Sequence, residues 1–141
     1  MKYDLERFVT AQKLYYRQAF EEMKRGRKRG HWIWFIFPQH YALGQSTTAI
    51  FYGISGLEEA KEYLAHPILG HRLREISAVM LENSSSDPLF VMGSPDDLKL
   101  RSCMTLFARA TEDNEIFRKV LDKFYGGEED GLTVSLLEAD D

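Results

Sequence analysis

Cysteine is almost missing from this chain of 141 residues, in which Cys103 is the only one. A single cysteine cannot form an internal disulfide, and no basic-then-apolar signal peptide opens the chain. Long apolar runs are missing as well: the longest, residues 32–37, is far shorter than the roughly 20 residues of a membrane-spanning helix. We therefore expect a cytoplasmic protein that does not enter a membrane.

An excess of positive charge is also missing. The net charge is -4 and the pI is near 5.6, whereas dedicated nucleic-acid-binding domains are usually basic, so no specific nucleic-acid partner is expected. The four histidines lack the spacing of a helical metal pair, and "GRKRG" has the wrong spacing for a phosphate-binding glycine loop. We expect no metal and no cofactor. With 44% hydrophobic and 28% charged residues, the composition is that of an ordinary globular domain.

The sequence is typical of amphipathic helices rather than strands. Apolar residues between positions 5 and 23 recur at the spacing of one helical face, with Asp4 as the predicted N-cap and Lys24 and Arg25 at the negative end of the helix dipole. Gln12 stands inside this face, and because a buried amide needs partners we expect it either to brace another segment or to face a cavity.

Start and stop signals delimit the later helices. The predicted ones are a capping box at Ser55 and Glu58, a stop at His66 before Pro67, an N-cap at Ser94 with Pro95 first in the helix, and a helix from about Asn114 to Tyr125. The acidic stretches "GGEED" and "EADD" are interpreted as a solubilising tail around one last short helix. We predict an all-α single domain over residues 1–141, with about six helices and a buried aromatic segment at 31–37.

Six stretches identify a family resemblance: "DLERFVTAQ", "GHWIWFIFPQ", "LGQSTTAIFYGI", "YLAHPILGHRL", "GSPDDLKLRSCMTLF" and "VLDKFYGGEEDGLT". Together they resemble the bacterial family known as domain of unknown function eighteen-ten, sometimes mislabelled calpastatin, along nearly the whole chain. The resemblance implies a compact multihelical domain, as in a small mycobacterial relative of known structure, and implies no activity. A calpastatin-like inhibitor would be disordered and repetitive, which this chain is not.

Residues 24–39 place a basic run beside an aromatic one. Cations beside aromatic faces can hold a phosphate and stack a ring, which is the logic of nucleotide recognition. The competing interpretation is a solvated helix end followed by core residues. The candidate ligand-binding residues here are Lys28, His31, Trp34 and Gln39.

A second candidate cluster is "SPDDLKLRS" at 94–102. Lys99, Arg101 and Ser102 are candidate phosphate ligands, and Asp97, with His31, is a weak candidate for catalysis. The competing interpretation is a helix cap with an Asp97–Arg101 ion pair, four residues apart on one helical face. Cys103 lies in an apolar stripe, which favours a buried, unreactive thiol over a nucleophile.

Two functions remain open from the sequence. The first is binding of a phosphorylated, nucleotide-like small molecule in a pocket between residues 28–39 and 97–102, with hydrolysis of an N-glycosidic bond as one form of it. The second is a non-catalytic protein-interaction module with an unknown protein partner. Whether the protein is an enzyme is left open, and the first function requires the two clusters to meet in space.

Overall fold

Helices form nearly all the regular structure of the chain. A computed structural model describes residues 2–140. Its helices are α1 (Glu6–Arg25), α2 (Ile33–Ile36), α3 (Thr47–Phe51), α4 (Leu57–Ala65), α5 (Leu69–Leu81), α6 (Pro88–Met92), α7 (Asp96–Ala110), α8 (Glu115–Tyr125) and α9 (Gly131–Asp140). Six of the helices within residues 2–140 have nine residues or more, and they correspond to the helices predicted from apolar spacing, from start and stop signals and, for α9, from the tail. The all-α prediction is confirmed.

The central helix is α7, which packs against α4, α6, α8 and α9. The stripe predicted for it is confirmed, since Leu100, Cys103, Met104 and Phe107 are fully buried. Burial holds the pKa of the Cys103 thiol well above its usual value, so the thiol stays protonated and unreactive. The helix α5 packs on the other side of the core, against α1, α4 and α8.

The aromatic segment at 31–37 enters this core as predicted, with Trp32, Ile33 and Phe37 almost fully buried. Gln12 braces it: the side-chain amide donates to the Phe35 carbonyl at 2.8 Å and to the Tyr63 hydroxyl at 3.0 Å. The predicted bracing role of this buried amide is therefore confirmed. The segment forms the short helix α2 and then an extended stretch, which ends in an isolated parallel β-bridge between His40 and Ile54.

Three predicted helix caps are wrong. Leu5, which already has helical backbone angles, takes the N-cap position of α1 in place of Asp4. At α4 the N-cap is Gly56, and Glu59 rather than Glu58 folds back to accept a hydrogen bond from the Ser55 N–H at 2.8 Å.

The third wrong cap is at α7, which begins one residue later than predicted. Pro95 is the N-cap, and Ser94 is exposed without a capping bond. The Gly93 carbonyl accepts from the Asp97 N–H at 2.9 Å, so the backbone satisfies a donor that the Ser94 side chain was expected to satisfy.

The end of α4 and the start of α5 follow the sequence more closely. His66 is the C-cap of α4, and its Nδ1 accepts from the N–H groups of Ile68 and Leu69 at 3.1 and 3.3 Å. This confirms His66 as a capping residue. Pro67 lies in the turn, and α5 begins at Leu69 rather than at Pro67.

Candidate ligand-binding cleft

The basic loop that follows α1 is folded around one buried carboxylate. Glu22 Oε1 accepts hydrogen bonds from the N–H groups of Arg29 and Gly30 at 2.7 and 2.8 Å and from Trp32 Nε1 at 2.9 Å. Gln18 donates to Oε2 at 2.9 Å. Although burial alone would raise the pKa of Glu22, these donors stabilise the charged form and lower the pKa to about 2.

Lys28 belongs to this structural arrangement and not to an open site. Its ammonium group makes a 2.7 Å ion pair with Asp96, donates to the Gly30 carbonyl, and lies over the Trp32 ring at 5.1 Å. The side chain is 7% exposed, so little of it can reach a ligand. The pair ties the loop after α1 to the first turn of α7.

The two other candidates from this segment, His31 and Trp34, are not among the residues that line the cleft beside α7. His31 is exposed at the surface. Trp34 is half-buried, and the Lys99 ammonium lies 5.6 Å from its ring centre, so the indole supports that lysine.

A half-open cleft of about 520 Å³ lies between the start of α7, the segment 39–49 and the start of α9. Four of the sequence-predicted ligand residues line it: Gln39, Lys99, Arg101 and Ser102. The apolar part of the wall consists of Leu43, Ala49, Pro95, Leu98 and Leu132, and Gly44, Gln45, Ser46 and Asp130 complete the lining. Lys28, His31, Trp34 and Asp97 are not among the lining residues. The two predicted clusters therefore meet, but through Gln39 and not through the basic run.

Gln39 is positioned by the β-bridge next to it. The Ile54 N–H donates to the Gln39 carbonyl and the Tyr41 N–H donates to the Ile54 carbonyl, each at 2.9 Å. A 3-10 turn at Tyr41–Leu43 and the Ser46 N-cap of α3, which accepts from the Ala49 N–H at 3.1 Å, shape the rest of this wall.

The two cations in the cleft, Lys99 and Arg101, keep unused donor capacity. Lys99 lies 3.8 Å from Asp96, too far for a hydrogen bond. Arg101 Nη2 lies 3.7 Å from Asp130 Oδ1, and its Nε is buried with no hydrogen-bond partner among the described residues. Because the Arg101 side chain is 27% exposed and its Nη2 lies beyond hydrogen-bond distance of Asp130, the outer part of the guanidinium can bind an incoming anion.

The predicted Asp97–Arg101 ion pair is wrong, because Arg101 faces Asp130 instead. The Asp97 carbonyl accepts from the Tyr125 hydroxyl at 2.5 Å, and its carboxylate Oδ1 is buried without a partner in the part of the chain described. Asp97 is not among the residues that line the cleft.

Asp130 is the charged lining residue that the sequence did not reveal. Its Oδ2 accepts from the N–H and hydroxyl of Thr133 at 3.1 and 2.6 Å and lies 3.0 Å from the Ser102 hydroxyl, so Asp130 caps α9. The aspartate three residues before a threonine, "DGLT", is a usable N-cap signal.

The solubilising-tail interpretation of "GGEED" is wrong for its last two residues. Glu129 is bound by Arg109 at 2.8 Å and Asp130 is buried in the cleft wall, because α9 folds back onto α7. In "EADD", Asp141 lies outside the described residues.

No group of three or more histidine, cysteine or acidic side chains within residues 2–140 is arranged to hold a metal ion. Across the same residues, every helix is too short or too polar to cross a membrane.

The fold and the cleft define an all-helical protein with one mixed apolar and cationic groove beside its central helix. Residues 2–137 match the profile of the protein family of unknown function DUF1810, and the chain belongs to that family. It is similar to the conserved hypothetical protein Rv1873 from Mycobacterium tuberculosis, whose crystal structure has a TM-score of 0.96 and 52% identity, covering 98% of this chain and 99% of that one. A search of curated proteins found no match.

Proposed function

We propose that this protein binds a phosphorylated, nucleotide-like small molecule in the cleft beside α7. The observation that carries the proposal is the guanidinium of Arg101, which is 27% exposed, lies 3.7 Å from its partner Asp130, beyond hydrogen-bond distance, and lines with Lys99 a cleft of about 520 Å³. A cleft of this size is in the range of small-molecule sites.

The rest of the lining suits the same ligand class. The leucines at 43, 98 and 132 offer an apolar surface to a base or sugar ring, and Leu98 and Leu132 are more than half exposed. Gln39 supplies both a donor and an acceptor for orienting a polar ring edge. A ligand with a phosphate at one end and a ring at the other fits a cleft that has cations in one part of its wall and leucines in another.

The proposal covers binding and not hydrolysis of an N-glycosidic bond. Such a reaction would need an acid or base within reach of the bond. Asp97 and His31, the two residues that the sequence offered for this role, do not line the cleft. Cys103 is buried and does not supply a nucleophile either. The proposal includes a cytoplasmic location, because small phosphorylated metabolites are available there.

A thermal-shift screen with AMP, ADP-ribose and ribose 5-phosphate tests the proposal. A ligand that binds only the native state raises its stability by RT ln(1 + [L]/Kd), or about 2.7 kcal/mol at 100 times Kd. Arg101→Met should weaken binding by roughly 10- to 100-fold, the usual cost of losing a charge-assisted hydrogen bond. Arg17→Met, which removes an exposed guanidinium on α1, is the matched control and should bind as wild type does.

The alternative function, a protein-interaction module, predicts a different result. No stabilisation by any of these anions at millimolar concentration, together with a stoichiometric protein partner in solution, would overturn the binding proposal and favour the module.

A further inference from the structure

Asp130 places a carboxylate oxygen in the cleft wall beside the cation that the proposed function assigns to phosphate. The residue is 9% exposed and lies where α9 begins. Of the charged side chains that line the cleft, Lys99 and Arg101 are positive and Asp130 is negative. The lining therefore carries one net positive charge, which matches a single phosphate group better than a chain of phosphates.

The two oxygens of Asp130 have different surroundings. Oδ2 accepts a hydrogen bond from the Thr133 hydroxyl. The Ser102 hydroxyl also lies within hydrogen-bond distance of Oδ2, but its one hydrogen is shared between Oδ2 and the Leu98 carbonyl. Oδ1 accepts no hydrogen bond from the described residues, and its nearest cationic atom, Arg101 Nη2, is 3.7 Å away. Its lone pairs are therefore available to a donor in the cleft.

We propose that Asp130 Oδ1 accepts a hydrogen bond from a hydroxyl group of the ligand while Arg101 holds its phosphate, so that the ligand class is a phosphate monoester of a sugar. The inference rests on the proposed function. Carboxylates recognise ribose hydroxyls in other nucleotide-binding proteins by the same chemistry. A hydroxyl at about 2.7 Å from Oδ1 and a phosphate oxygen at about 2.8 Å from Arg101 fit within one small sugar phosphate.

The experiment compares two ligands of equal charge by isothermal titration calorimetry. Ribose 5-phosphate carries hydroxyl donors, whereas cyclopentyl phosphate has a five-membered ring and no hydroxyl group. We expect wild type to bind ribose 5-phosphate at least tenfold more tightly. Asp130→Asn should bring the two affinities to within about threefold, because the amide keeps an N-cap oxygen for Thr133 but forms only a neutral, weaker hydrogen bond with a ligand hydroxyl.

Asp113→Asn is the charge-matched control, since Asp113 is 87% exposed and does not line the cleft; it should keep the wild-type preference. Equal binding of both ligands by wild type, or an unchanged preference in Asp130→Asn, would overturn the role of Asp130 and leave the proposed function standing. If neither phosphate binds, the proposed function fails and this inference fails with it. If Asp130→Asn does not fold, the NMR shift of the Asp130 side-chain carboxyl carbon in wild type decides: it should change on binding ribose 5-phosphate and not on binding cyclopentyl phosphate, and equal changes would overturn the role of Asp130.

Discussion

Glu22 is the residue on which the basic loop depends. Its folded pKa of about 2 lies below the 4.5 of the unfolded chain, because backbone and indole N–H groups bind the charged form despite its burial. The carboxylate therefore contributes stability that is fully present above about pH 4.5 and is lost as the pH falls towards 2. The difference between the two pKa values corresponds to about 3 kcal/mol.

Glu22→Gln should lower the free energy of unfolding by about 3 kcal/mol at pH 7, and its deficit should shrink as the pH falls from 4.5 towards 2. Urea denaturation at pH 7 and pH 3 measures this, with the exposed neighbour Glu21→Gln as the control. A deficit that is the same at both pH values would contradict the assignment of the four hydrogen bonds to a charged Glu22.

Lys28 is a structural cation by the same reasoning. Lys28→Met leaves Asp96 with only the more distant Lys99, at 3.8 Å. We therefore expect the free energy of unfolding to fall by about 2–3 kcal/mol, somewhat less than when a buried charge loses every partner. Denaturant titration measures the loss, and Lys24→Met, an exposed lysine before the same loop, is the control. Calorimetry should find cleft affinity unchanged; a lost affinity with unchanged stability would mean that Lys28 binds ligand after all.

At the scale of elements, the segment 39–43 forms one wall of the cleft because Gly53 lets it approach closely. A Cβ atom at Gly53 would lie 2.4 Å from the Tyr41 Cα, a distance that requires the backbone to move. We expect Gly53→Ala to lower both the stability and the ligand affinity, the latter several-fold, because the displaced wall carries Gln39.

Gly70→Ala is the comparison for this prediction. Its Cβ would lie 2.0 Å from the Leu64 carbonyl oxygen, at the junction of α4 and α5, and neither residue lines the cleft. Thermal denaturation and calorimetry below the melting temperature separate the two effects. Equal affinity in both variants and wild type would show that the 39–43 wall does not contribute to binding.

The long helices were predictable because their apolar stripes repeat over several turns, as in residues 5–23. The helices α2, α3 and α6 were not, since four or five residues are too few to show a helical period. The cap predictions failed for a related reason. Asp4, Glu58 and Ser94 are suitable residue types, but the backbone geometry determines which residue takes the N-cap position. At α4, Glu59 is also held by an ion pair with Arg7, which the sequence does not show.

The site was predictable in part. Lys99, Arg101, Ser102 and Gln39 carry chemistry that the sequence makes visible, and all four line the cleft. The ion pair of Lys28 was not visible in the sequence because its partner Asp96 is 68 positions away. Asp130 was missed because its role depends on the packing of α9 against α7. In the sequence, the residue is visible only as part of an acidic stretch.

At the scale of the whole molecule, the net charge is -4, and the two cationic clusters that the sequence offers as anion sites are placed differently. In the loop after α1, Lys28 is paired with Asp96 while Arg27 and Arg29 are exposed, whereas Lys99 and Arg101 line a cleft. This difference is what most needs testing, because the sequence alone offers both clusters as anion sites and does not choose between them.

Titration of ¹⁵N-labelled protein with AMP, followed by backbone and arginine side-chain NMR shifts, tests this claim most directly. We expect the largest changes in chemical shift at Gln39, residues 98–102, Asp130 and the Arg101 Nε, and almost none at residues 24–31. Changes centred on residues 24–31, or none at millimolar AMP, would contradict it.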